Sequence, residues 1–387
     1  MSAPVRASGA PMRVLELLSS AWWTGPAEPM ASVARELRAR GHRVEVAVDA
    51  VREGNLREAL RARGFPPRED LALSTRSGPI AYLRDVRRLA AAARDFDVLH
   101  ANFSHDHALA LLALRRRGGR RVVRTVHSSR SLRTDPLQRL QHRATDGLVA
   151  VCEAHARALV ERFGLPEERV LATRGAVDAE AFRPDGPDLR AALGIEAGAP
   201  VAGIVSRIKP GRRHEDLVDA FRDVADRLPE ARLVIVGRGE GEEAIRVRVA
   251  HRGLQRQVVF AGYRTGPELA AAYRTFDVNV LLAEGNDGTC RALLEGMAAG
   301  RPGVAYRFGA PAEAIVDGTT GLLAPEGDVP ALAAALLELL GAPARARALG
   351  AAARERMAAL FTEAARGEAV ERFLAQVLAL PPARGAD

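Results

Sequence analysis

The feature that most constrains this chain is an alternation that runs along nearly its whole length. Short β-branched or apolar runs are separated by Ala/Arg/Leu stretches of helical period. The pattern predicts strands over 13–18, 43–48, 98–101, 121–126, 147–151 and 170–173 in the first half. In the second half it predicts them over 201–206, 232–236, 258–260, 278–282, 303–305 and 322–324. Helices are expected between most of them, over 29–40, 79–94, 153–163, 215–227, 241–251, 266–274 and 291–299. A strand–helix–strand repeat implies an α/β protein whose parallel sheets carry helices on both faces.

The rhythm breaks once, over 182–200, where Pro, Gly and Asp surround one short helical piece. With 387 residues, and about 150 per domain, the expected organisation is two doubly wound, Rossmann-like domains at 1–183 and 184–358. A last helical segment, 359–387, is expected to cross back to the first domain. Such a pair leaves a central cleft lined by the carboxyl ends of the strands, where open α/β sheets bind ligands.

Charge is unevenly placed. Residues 1–190 hold 32 Lys+Arg and 23 Asp+Glu, net +9, and the remainder 24 and 25, net −1, together the overall +8. Lys209 is the only lysine. The excess reflects either a codon bias toward Arg or a front half that faces something anionic. Two cysteines, Cys152 and Cys290, make neither a disulfide framework nor a four-ligand zinc site, so a cytoplasmic setting is expected. No window reaches the roughly 18 uncharged apolar residues of a membrane span. The first apolar run holds Glu16 and reads as a buried strand, not a secretory signal.

Three segments carry chemistry. In Gly203-Ile-Val-Ser-Arg207-Ile-Lys209-Pro-Gly-Arg212-Arg213 a strand ends in a loop of four cations. Arg forks on such a loop suit a pyrophosphate, although alone it is also a solvated basic turn. In Asp287-Gly288-Thr289-Cys-Arg-Ala-Leu-Leu-Glu295 a helix opens with free amides. Asp287 and Glu295 lie eight residues apart, roughly 12 Å of helix, about the span from a sugar to the ribose of a sugar nucleotide. Asp287 alone reads as a helix cap, and Glu295, beside Leu294 and Met297, is a poor exposed residue. Third is Phe308-Gly309-Ala310-Pro311-Ala-Glu313, a glycine loop that lets backbone approach a ligand, or an ordinary turn.

In this order the three resemble the retaining nucleotide-sugar glycosyltransferases of the GT-B fold in glycosyltransferase family 4. Arg207 matches the Arg of the family's G-R-L-x-x-x-K-G, with Arg212 where Lys is usual. Glu295 matches the second Glu of E-x7-E, with Asp287 for the first, and Gly309 and Glu313 fit G-G-x-P-E loosely. In the front half, the Gly25 loop, the strands ending at His100 and His127, Cys152-Glu153 and Ala176-Val-Asp178 fall in the family's order.

The resemblance implies roles. Arg207 and Arg212 hold the diphosphate and stabilise it as leaving group, and Gly25 approaches it. Gly288, Thr289 and the amides of Gly309, Ala310 and Pro311 line the donor, and Glu295 binds the ribose. Asp287 contacts sugar hydroxyls, His127 hydrogen-bonds the donor sugar, and the base lies near Gly262, Tyr263 and Arg264. His100 reads better as a satisfied core histidine. The implied reaction is retaining transfer of a hexose-type sugar from a UDP-, GDP- or ADP-sugar to an acceptor hydroxyl, as in lipopolysaccharide or glycolipid synthesis. No carboxylate is placed for double displacement, so the departing phosphate takes the acceptor proton. No cofactor is implied and no metal, since the motif segments hold no Asp-x-Asp and no His/Asp cluster at ligand spacing. A basic helix over 79–96 with Arg84, Arg87, Arg88 and Arg94, and Trp22 and Trp23 beside Gly25, fit weak docking on an inner membrane leaflet and a lipid-linked or anionic acceptor. The competing expectation is a soluble enzyme with a small acceptor.

Other readings fit less well. Gly237-x-Gly239-x-Gly241 lacks the spacing and the acidic partner of a nicotinamide site. A nucleotide-sugar epimerase keeps the architecture with another reaction. A nucleic-acid binder, prompted by Arg115–Arg121, lacks interleaved aromatics, and no nucleic-acid partner is expected.

Overall fold

In the computed structural model the chain forms two compact units, Met1–Arg174 with Glu363–Asp387, and Gly175–Thr362. The structure describes residues 10–75, 78–115, 118–284 and 287–383, with 287–289 described by their backbone alone.

Unit 1 is built on a six-stranded sheet: β1 Arg13–Leu18, β2 Arg43–Val48, β3 Val98–Ala101, β4 Arg121–Val126, β5 Gly147–Ala150 and β6 Val170–Ala172. The order is β2-β1-β3-β4-β5-β6 and every pairing is parallel. Unit 2 has β7 Val201–Val205, β8 Arg232–Val236, β9 Val258–Gly262, β10 Val278–Leu281, β11 Gly303–Tyr306 and β12 Gly321–Ala324. These run β12-β11-β10-β7-β8-β9, again all parallel. The strand order reverses between β1 and β3 in one unit and between β7 and β10 in the other. In doubly wound sheets the crevice outside the carboxyl ends at that reversal is where ligands bind.

The division between units falls at Arg174/Gly175, earlier than the Pro/Gly-rich stretch implies. The residues just after it are not linker. Val177 donates its amide to Phe361 O and packs with Leu293 and Met297, and Phe182 packs edge-to-face on Tyr273. The Pro/Gly stretch itself is anchored, with Ile195 and Ala199 buried beside Phe276.

The chain returns at Thr362/Glu363, not at 359, because Phe361 is still buried in unit 2. The helix Glu363–Ala379 then packs on the helix Ala27–Ala39. A Cβ at Gly367 would meet the Glu36 Cβ at 2.3 Å, so only glycine allows this approach. Val370, Phe373, Leu374 and Val377 seal that side of the unit 1 core.

Candidate functional site

In unit 2 the loop after β7 and the helix after β10 both sit at the reversal of strand order. Residues 206–213 leave the end of β7 and enter the helix His214–Arg227. Two glycines brace this loop. A Cβ on Gly237 would lie 2.0 Å from Ser206 O, and one on Gly239 would lie 2.0 Å from Ile208 O. Ile208 donates its amide to Arg238 O, and Gly241 donates to Ile208 O. The Gly237-x-Gly239-x-Gly241 turn thus serves backbone packing of one loop on another.

The cations of the loop are in different states. Arg207 is exposed and pairs with Glu240 at 3.1 Å. Arg212 is half-buried and has no carboxylate partner among the described residues. Burial, then the nearby charge of Arg207, lowers its pKa from the usual arginine value. A half-buried guanidinium facing a like charge is poorly placed until an anion arrives. Arg213, where the family motif has glycine, adopts φ +60°, a conformation non-glycine residues avoid. Its side chain is used locally, on Glu326 at 2.9 Å and over the Tyr306 ring. His214 is buried, and neither ring nitrogen has a hydrogen-bond partner among the described residues. Burial, then Arg212, pushes its pKa down to about 4, so it adds no charge near neutrality.

The helix Asp287–Ala298 follows β10. It begins earlier than expected, and the side chains of Asp287 and Thr289, like the surroundings of Gly288, lie outside the described residues. Its middle is pinned by Asn279 of β10, whose Nδ2 donates to Ala292 O and Leu293 O at 3.2 Å. A Cβ at Gly296 would meet that Nδ2 at 2.1 Å. Glu295 is 5% exposed. Tyr273 donates its hydroxyl to Glu295 Oε2 at 2.8 Å and Arg291 Nε donates to Oε1 at 2.9 Å. Oε2 is thus held from the helix Gly266–Thr275 that follows β9, and Oε1 from a residue of Glu295's own helix.

β9 ends at Gly262, which has φ +70°, and Gly237 donates its amide to Gly262 O. Tyr263 is 59% exposed, with the Arg238 guanidinium 4.9 Å over its ring, and Arg264 pairs with Glu268. Beyond β11, Gly309 has φ +61° and a Cβ there would lie 2.0 Å from Glu284 O, so the residue must be glycine. The three amides expected at the ligand reduce to one. Ala310 donates its N–H to Glu284 O, and Pro311, buried, has none to give.

In unit 1 the site residues cluster at the ends of β1, β3 and β4. Gly25 lies in the exposed turn that opens the helix Ala27–Ala39 after β1. His127 follows β4, and its Nε2 lies 3.2 Å from Asn102 Oδ1. Burial, then the charges of His100, Arg124 and Arg366, lowers its pKa to about 3. His100 is buried, with Nδ1 on Glu16 and Nε2 on Thr125, each at 2.8 Å, the satisfied core histidine expected of it.

Sequence reasoning passed over Tyr273, Asn102 and Asn279, and used Glu16 only as a charge within an apolar strand. Glu16 and Asn279 did leave a signal, as polar residues inside otherwise apolar runs. Among the described residues no group of three or more His, Cys, Asp or Glu could hold a metal. The one Asp-x-Asp, Asp95-Phe-Asp97, lies before β3 at the amino end of the sheet, with Asp97 paired to Arg13. Of the basic run at 115–121, residues 116–117 lie outside the described residues, Arg115 is exposed, and Arg121 is buried, donating to Val377 O and Leu380 O.

The description "Glycosyltransferase Family 4" matches residues 25–181, and "Glycosyl transferases group 1" matches 185–356. A GDP-mannose-dependent alpha-(1-6)-phosphatidylinositol monomannoside mannosyltransferase of Mycolicibacterium smegmatis is 30% identical over 69% of this chain and 74% of its own. The phosphatidyl-myo-inositol mannosyltransferase of Mycobacterium leprae is 31% identical over 80% and 81%. A 2-deoxystreptamine glucosyltransferase of Streptomyces kanamyceticus is 29% identical over 61% and 66%. Among solved structures, Anabaena HepE in complex with UDP superposes with a TM-score of 0.80 over 93% of this chain and 99% of its own, at 19% identity. The two parallel six-stranded sheets and these matches together place the chain in glycosyltransferase family 4, as a glycosyltransferase of the GT-B fold.

Proposed function

We propose that this glycosyltransferase takes a hexose from a nucleoside diphosphate sugar and transfers it, with retention, to a hydroxyl of a lipid-linked or otherwise anionic acceptor. The observation that carries the reading is Arg212, a half-buried guanidinium without a carboxylate partner among the described residues, beside Arg207 at the reversal of strand order. A diphosphate relieves their mutual repulsion, and more so as the glycosyl bond breaks and charge builds on the leaving oxygen. Glu295, held by Tyr273 and Arg291, takes the ribose hydroxyls; Tyr263 lies beside the base; the Gly309 amide meets the sugar or phosphate. Asp287 and His127 serve the transferred sugar. The departing phosphate accepts the proton of the incoming hydroxyl on the same face.

The acceptor class is supported by two mannosyltransferase relatives whose names carry phosphatidylinositol and by the outward face of the helix Pro79–Ala92. There Ile80 and Leu83 are 77% and 59% exposed, beside exposed Arg84, Arg87 and Arg88, while Asp85 is turned inward and buried. Apolar residues among cations, with the acid hidden, suit an anionic lipid surface. Trp22 is exposed beside Gly25, whereas Trp23 is packed under the Arg63 guanidinium. No single helix among the described residues is long and apolar enough to cross a membrane. The relative named for 2-deoxystreptamine keeps a small soluble acceptor as the second reading.

The test is a hydrolysis and transfer screen of UDP-, GDP- and ADP-sugars with the purified chain, with NMR of the product anomer. Release of sugar from none of them, with or without phosphatidylinositol, overturns the proposal, and an inverted anomer overturns retention.

A further inference from the structure

The polar network beneath His127 is larger than a buried sheet edge needs. Asn102, 3% exposed, lies just beyond β3. Its Nδ2 is 3.1 Å from Leu17 O and 3.1 Å from Glu16 Oε2. A backbone carbonyl can only accept, so the NH2 of the amide must face Leu17 and Glu16. The amide oxygen is thereby turned to His127 Nε2. An amide oxygen can only accept, so Nε2 must carry a proton. Glu16, fully buried on β1, is held on its other oxygen by His100 Nδ1, and His100 is held by Thr125. Each member has its orientation set by the one before.

We infer that Asn102, with Glu16 behind it, is a positioning residue that fixes His127 as the Nε2–H tautomer and leaves Nδ1 as an acceptor for a ligand hydroxyl. The last clause rests on the role proposed above for His127; the tautomer assignment does not. Nδ1 has no protein partner among the described residues. Burial, with His100, Arg124 and Arg366 nearby, disfavours the imidazolium, so the ring meets the ligand neutral. A histidine locked this way takes a hydrogen bond from a sugar hydroxyl and gives none, which selects the direction of the contact.

The test is long-range 1H–15N NMR of the full chain labelled at histidine, at pH 7. With nine histidines in the chain, the His127 signals are identified by comparison with His127→Gln. The expected spectrum shows a single neutral ring with Nε2 protonated, and a mixture of tautomers in Asn102→Ala. Donor hydrolysis by Asn102→Ala is expected to fall on the order of tenfold in kcat, as for one lost hydrogen bond, and less in KM. An Nδ1–H ring or an imidazolium in the wild type, or an unchanged tautomer in folded Asn102→Ala, overturns the inference. If Asn102→Ala does not fold, the wild-type spectrum decides alone. Failure of the wild type to act on any sugar nucleotide would instead remove the glycosyl-transfer reading and leave the tautomer untouched.

Discussion

Tyr273→Phe isolates one hydroxyl. Tyr273 is fully buried, with its ring edge-to-face on Phe182 at 5.6 Å and on Phe276 at 5.9 Å. Phenylalanine keeps both contacts and loses only the donor to Glu295 Oε2. A hydrogen bond to a charged group contributes about 1.5–3 kcal/mol, and the carboxylate oxygen left behind stays buried. The expected loss is therefore about 2 kcal/mol in the stability of unit 2, or a factor of about 30 in its unfolding equilibrium. Two compact units can unfold in separate steps, so calorimetry of the full chain should show the later or earlier of two transitions move and the other stay.

The same substitution should reach the ligand. With this hydrogen bond gone, the Glu295 side chain recovers part of the rotamer freedom that the nucleotide must remove. That costs about 1 kcal/mol, or roughly fivefold in Kd by titration calorimetry. A 2′- or 3′-deoxyribose diphosphate should bind the wild type less well than the parent nucleotide, and the gap should narrow in Tyr273→Phe. Unchanged stability together with unchanged discrimination would refute the assignment of Glu295 to the ribose and of Tyr273 to Glu295. The pH dependence has a definite sign. Burial and Glu295 raise the Tyr273 pKa well above the ordinary tyrosine value. The unfolded chain thus releases a proton above about pH 10 that the folded chain keeps, and the wild type loses stability as pH rises past that point, while Tyr273→Phe lacks this component.

Arg207→Ala and Arg212→Ala should each cut turnover by about a hundredfold or more, as for loss of one preorganised charge stabiliser; near wild-type rates in both, with every donor, would contradict the leaving-group role. Glu295→Ala should weaken binding of the free nucleoside diphosphate more than Asp287→Ala, which should alter choice among sugars, and calorimetric titration showing equal losses would count against this division. Arg213→Gly relieves a φ of +60° worth about 1–2 kcal/mol and gives up two part-exposed pairs, each worth at most about 1 kcal/mol, and a contact with the Tyr306 ring, so denaturation should show unit 2 little changed; a large loss would mean the side chain matters more than the backbone. The chain should co-sediment with phosphatidylglycerol vesicles at low salt, be released by salt, and fail to pellet once Arg84, Arg87 and Arg88 are changed to Gln; protein left in the supernatant would discard the docking surface.

How much of this was legible in the sequence follows from where each constraint lies. A parallel strand buried on both faces must be apolar and short, and the turns beside it must break the pattern, so all twelve strands could be read within a residue or two. The seam of the two compact units, at Arg174/Gly175, could not. Proline and glycine over 182–200 look like linker, yet Ile195 and Ala199 are buried in unit 2 and Phe182 packs, partly buried, against its core, and an isolated apolar residue in a polar stretch does not say which core receives it. The same limit separates the site residues. The cations of the 206–213 loop stand out because four fall within seven residues directly after a strand. Tyr273 does not, because its hydroxyl meets Glu295 across two helices, and to the sequence it is one more aromatic among the apolar positions of Gly266–Thr275. Glu16 lies between these cases. A charge in the middle of Val-Leu-Glu-Leu-Leu must be either exposed or partnered, and β1, buried from Val14 to Leu18, leaves no exposed position there. That requires a buried donor, and the residues able to supply one at the end of β3 are His100 and Asn102. The acid that interrupts an apolar strand thus predicts a polar network, and the end of β4, where His127 stands, is where that network reaches the carboxyl end of the sheet.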